Sequence, residues 1–160
     1  MNNTLTIAEI ELLNSLLIYN IEEVHYVFWE NTAKKNDFFE CVDYIEFLLE
    51  NESRVFVFCN ENSDYISITD AFDFDAKQSE LQQKFNNKVS LRKVDVSTSD
   101  TWVGLIHAPI QKIDFAKDDY GKIINSGFAL QYNDCMVLIG LGEEGLYVEL
   151  IEKEDEDELI

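Results

Sequence analysis

Residues 127–151, GFALQYNDCMVLIGLGEEGLYVELI, constrain the fold more than any other part of the chain, because they read as three adjacent β-strands. Phe128, Leu130 and Tyr132 alternate with Ala129, Gln131 and Asn133. Leu146, Val148 and Leu150 likewise alternate with Tyr147, Glu149 and Ile151, the period of two that gives a strand one dry face. Between them, Cys135 to Ile139 is apolar at every position, which predicts a strand covered on both faces at the centre of a sheet. Asn133-Asp134 tolerates the positive φ of a two-residue hairpin turn, and Gly140, Gly142 and Gly145 mark the second turn.

Upstream, Thr6-Ile7-Ala8-Glu9 is a capping box that starts a helix carrying Ile7, Ile10, Leu13 and Leu17 on one stripe and stopping near Asn20. Val24, Tyr26 and Phe28 alternate with His25, Val27 and Trp29 and predict a strand. Asp37 and Glu40 repeat the capping logic, so a second helix is expected over 37–50, buried through Phe38, Cys41, Val42, Ile45, Leu48 and Leu49. Residues 54–59 and 65–69 predict a hairpin, and 75–87 a helix anchored by Leu81 and Phe85. Val89 to Val96 and Trp102 to Ala108 predict two more strands, with Ile110, Ile113 and Phe115 as a short edge segment. The expected architecture is α+β: one domain over 1–151, mostly antiparallel sheet packed with two or three helices. Residues 152–160 read as an acidic, disordered tail.

Charge is the functional lead. The 32 acidic and 12 basic side chains give a net charge of −20. Residues 1–75 hold 16 acids against three bases, whereas 76–126 hold six acids against eight bases. Acidity concentrated in this way suits a cationic partner and disfavours direct contact with nucleic acid or an anionic membrane. Two carboxylate groups stand out. Glu40, Asp43, Glu46 and Glu50 recur at spacings of three, three and four, which on a helix makes a ridge with no lysine or arginine three or four places away within 37–50. Asp70, Asp73 and Asp75 flank Phe72 and Phe74, an arrangement suited to apolar anchors within a charged rim.

Other chemistry is weakly encoded. The segment DAFDFDAKQSEL has neither the glycine nor the terminal spacing of a calcium loop. His25 and His107 lack neighbours at ligand spacing, so no metal or other cofactor is expected. Cys135, His107 and Asp134 supply the residue types of a nucleophilic triad, but Cys135 falls in the driest strand. Cys41, Cys59 and Cys135 are odd in number and read as reduced thiols in a cytoplasmic protein. The first residues match neither a signal peptide nor a membrane span. The expected function is therefore an acidic protein that occludes a basic protein partner, such as an immunity protein against a toxin or nuclease. It would act through Glu40, Asp43, Glu46, Glu50, Asp70, Phe72, Asp73, Phe74 and Asp75. The alternatives are a DNA-mimic regulator, a small enzyme with a pocket over 127–151, and a domain whose acidity only keeps it soluble.

Overall fold

A computed structural model describes residues 4–31, 40–59, 65–86, 89–142 and 145–152. Helix α1 (Ile7–Ile18) is followed by strands β1 (Ile21–Asn31), β2 (Glu40–Leu49), β3 (Arg54–Cys59) and β4 (Ile66–Thr69). Helix α2 (Phe74–Lys84) then leads to β5 (Val89–Asp95), β6 (Lys112–Lys117), β7 (Ile123–Tyr132), β8 (Cys135–Gly142) and β9 (Gly145–Glu152). All pairings are antiparallel. They form a five-stranded sheet ordered β4-β3-β2-β1-β5 and a four-stranded sheet ordered β6-β7-β8-β9.

The two sheets face each other across one hydrophobic cluster. Val24, Ile45, Phe47, Leu49, Val55 and Val57 enter it from the first sheet, and Phe128, Leu130, Val137 and Ile139 from the second. Leu13 and Leu16 of α1 join them, each burial contributing about 1.5–3 kcal/mol. The helix forms where its cap dictates: the Thr6 hydroxyl oxygen accepts from Glu9 N–H at 3.1 Å, and Glu9 Oε1 accepts from Thr6 N–H at 2.9 Å. The second oxygen of Glu9 accepts from the Ile68 amide of edge strand β4 at 2.9 Å. At the opposite edge, Gln78 Oε1 of α2 accepts from the Leu91 amide of β5. Each helix thus occupies a backbone donor that an edge strand would otherwise offer to another chain.

Several expectations change. The helix foreseen over 37–50 is a strand from Glu40 to Leu49, and residues 37–39 lie outside the described residues. The cause is two-sided burial. Ile45, Phe47 and Leu49 point into the inter-sheet core, while Tyr44 on the opposite face packs in a second cluster with Val27, Leu81, Leu91, Phe72 and Phe74. A strand dry on both faces loses its alternation and mimics a helix in sequence. Among the described residues there are two helices, the lower of the two numbers expected.

Trp102 to Ala108 is not a strand but a series of turns, in which Leu105 and Ile106 amides donate back to the Trp102 carbonyl. Trp102 and Leu105, three residues apart, are fully buried there, and the Trp102 indole N–H donates to the Tyr26 hydroxyl at 2.6 Å. The 127–151 meander is present as β7, β8 and β9, with β7 beginning at Ile123. It is not dry on both faces, since Met136 and Leu138 of β8 are only half-buried. Residue 152 belongs to β9, and 153–160 of the expected tail lie outside the described residues.

Candidate functional site

The outer face of the five-stranded sheet, away from the second sheet, gathers most of the chemistry. Strand alternation and register set its layout. Arg54, Phe56 and Phe58 of β3 stand beside Tyr44 and Glu46 of β2, and Glu46 lies opposite His25 of β1, which lies opposite Asp95 of β5. Helix α2 covers one end of this face through Phe74 and Leu81. Asp73 starts that helix, its Oδ1 accepting from Ala76 N–H at 3.0 Å.

An open cleft of about 630 Å³ lies beside the start of that helix, lined by Arg54, Phe56, Asp70, Ala71, Phe72 and Asp73. Its floor is aromatic. Phe72 stacks on Tyr44 with centroids 4.0 Å apart and tilts against Phe56 at 5.4 Å, and Tyr44 stacks on Phe58 at 5.0 Å. Burial, together with the nearby Asp43 carboxylate, pushes the Tyr44 phenol up to about 12, so it remains a neutral donor at physiological pH. Asp70 and Asp73 are exposed at the rim, and Asp75 is exposed in the first turn of α2.

The expected ridge does not exist as a ridge. Ten residue steps of extended chain carry Glu40 about 33 Å from Glu50, where a helix would have carried it about 15 Å. Glu40 opens β2 with its side chain outside the described residues, and Glu50 is exposed in the turn after the strand. Asp43 sits in a bulge, where Val27 pairs with Tyr44 and the next residue, Phe28, with Val42. Desolvation raises its carboxyl to about 6, against a smaller lowering by Lys77. Glu46 is only 2% exposed and is held by Arg54 Nη1 and by Lys93 Nζ at 2.8 Å. A carboxylate enclosed by two of the protein's own cations gives little to a partner.

No protein-family model, curated protein or solved structure matches this chain.

Of the expected residues, then, the fold brings Asp70, Phe72 and Asp73 together at one cleft and sets Phe74 and Asp75 beside it. Phe74 and Phe72 are also part of the smaller hydrophobic cluster, so they support the surface as well as lining it. Arg54 and Phe56 were not foreseen as site residues. The alternation of RVFVFC does place both on one face, but nothing in the sequence says which face meets the 70–73 loop. The cleft lies on the first sheet, whereas the enzyme alternative placed a pocket over 127–151. His107 is exposed at the end of the Trp102 turn, its backbone bonded to Ile21 and Asn20, and Cys59 and Cys135 are half-buried.

A second group of side chains neighbours the Glu46 pair. Glu23 and His25, two apart on β1, share a strand face with Asp95 of β5, directly opposite His25. The His25 Nε2 atom lies 3.9 Å from Glu23 Oε1 and 3.8 Å from Asp95 Oδ2. Hydrogen bonds from Ser97, and secondarily the charge of His25, hold the Asp95 carboxyl below its ordinary value. Sequence reasoning missed this trio because strand register alone brings Asp95 to His25. Glu23-x-His25 within a predicted strand was the only local signal.

Proposed function

We propose that this protein is an acidic binding module that docks on a basic protein partner, as an inhibitor or immunity protein against a toxin or nuclease would. The observation that carries the reading is the cleft itself, an aromatic floor of Phe56 and Phe72 beneath the exposed carboxylates of Asp70 and Asp73. Aromatic anchors within a charged rim suit an arginine or lysine side chain, the aliphatic stem against the rings and the cation at the rim. The net charge of −20 would steer such a partner over a longer range. Among the described residues no helix is long and apolar enough to cross a membrane. Action in the cytoplasm is part of the proposal, in keeping with cysteines read as reduced thiols.

Association kinetics with a candidate basic partner test the proposal. The on-rate of the unaltered protein should fall steeply from low to physiological salt, and Asp70→Asn combined with Asp73→Asn should flatten that dependence. Asparagine at 73 still caps α2, so a loss of binding would not reflect a lost helix start. A salt-independent on-rate, or one unchanged by the double substitution, would refute docking at this cleft. If DNA competes for the partner, the partner's surface is a nucleic-acid groove and the DNA-mimic form of the reading is preferred.

A further inference from the structure

We infer that Glu23, His25 and Asp95 form a binding site for a divalent transition-metal ion of the zinc class. This rests on neither the cleft nor its partner. The three side chains offer one imidazole nitrogen and two carboxylate oxygens, all within 4.8 Å of one another. They are set by the sheet: Glu23 and His25 by the period of two along β1, Asp95 by its place opposite His25 on β5.

The spacing favours an ion between the groups over direct pairing. A histidine hydrogen-bonded to a carboxylate brings nitrogen and oxygen to roughly 2.7–3.0 Å. Here Nε2 stands 3.8 and 3.9 Å from two different carboxylates, beyond hydrogen-bonding distance of either. A tetrahedral zinc ion with bonds near 2.1 Å spaces its ligand atoms about 3.4 Å apart, so closure requires a contraction of about 0.4–0.5 Å on each His25 distance and of up to about 1.4 Å between the two carboxylates. Glu23 and Asp95 can supply it, since their side chains are 43% and 52% exposed while that of His25 is only 16% exposed.

One further observation points the same way. Asp95 is oriented from behind, because its Oδ1 accepts from Ser97 N–H at 2.8 Å while Oδ2 faces His25. Metal ligands are commonly fixed by such an outer hydrogen bond. The donor set also selects the metal class. Calcium and magnesium prefer more oxygen ligands and no imidazole, whereas one nitrogen and two oxygens suit zinc, with a fourth position left to water.

The test uses the untagged full chain and Zn²⁺ alone, followed by calorimetry, with Co²⁺ absorption as a reporter of coordination. One equivalent should bind. His25→Ala and Asp95→Asn should each weaken binding by at least 10–100-fold, roughly the loss that even outer-shell changes cause at metal sites. The chain contains only two histidines, so His107 serves as an internal control. Zinc should shift the His25 ring signals in NMR and leave those of His107 in place. Should His25→Ala not fold, judged by circular dichroism without metal, Glu23→Gln and Asp95→Asn at exposed positions carry the test. Absence of stoichiometric binding, or binding unaffected by these substitutions, would overturn the site. The latter result would assign the ion to other carboxylates, such as those of residues 152–158.

Discussion

Replacing Asp43 by asparagine should stabilise the protein, and only above mildly acidic pH. Asp43 occupies the bulge of β2, where burial raises its carboxyl from 3.8 to about 6 despite the attraction of Lys77. In the unfolded chain the same group loses its proton at the lower value. Between these limits the folded state binds the extra proton, so stability falls as pH rises through the window. The penalty is complete above about pH 6 and absent below about pH 4. The full shift, with the attraction of Lys77 already included, corresponds to about 3 kcal/mol, and solvent reaching a partly exposed group reduces the net gain for asparagine to about 1–2 kcal/mol. Urea denaturation at about pH 8 and again at about pH 4, followed by fluorescence of the buried Trp102, measures the difference between the two proteins. A stability difference that does not change with pH would refute the reasoning, because it would mean that Asp43 is already ionised at little cost.

Three further substitutions probe the Glu46 ion pair and the packing of the second sheet. Arg54→Met should destabilise by about 1–3 kcal/mol by depriving the buried Glu46 carboxylate of one partner. Adding Glu46→Leu should recover most of that loss, and chemical denaturation of the single and double variants measures the coupling. Gly127→Ala should cost about 1–3 kcal/mol, read from the shift in denaturation midpoint. A Cβ at 127 would stand 2.8 Å from the Ile139 carbonyl oxygen, and backbone on the neighbouring strand can yield only by distorting the β7–β8 pairing.

What could be read from the sequence follows the range of the interactions. The Thr6–Glu9 cap and the Asn133-Asp134 turn are settled within a few residues, and both occur as expected, with Asn133 at φ 47°. A strand with one dry face, such as β9, declares itself by alternation. Strand β2 does not, because Tyr44 and Glu46 face an aromatic cluster and two cations while Ile45 and Phe47 face the main core. The even run of apolar side chains and the spacing of its acids then imitate a helix. Trp102 and Leu105 carried a three-residue spacing that marks a turn, but the β-favouring composition of TWVGLIHA obscured it. At the candidate site, Asp70, Phe72 and Asp73 were legible because they are adjacent in sequence. Arg54, Phe56 and the approach of Asp95 to His25 depend on which strands pair, which no local pattern encodes.

The side-chain bonds at the two borders of the five-stranded sheet bear on whether another chain can add a strand to it. Glu9 holds the Ile68 amide on one border and Gln78 the Leu91 amide on the other. An incoming strand would have to displace a side chain anchored in a helix before it could zip on at either position. Resistance to fibril growth is therefore tied to the seating of α1 and α2. Conditions that loosen a helix without melting the sheet would be the ones that turn this sheet into a template.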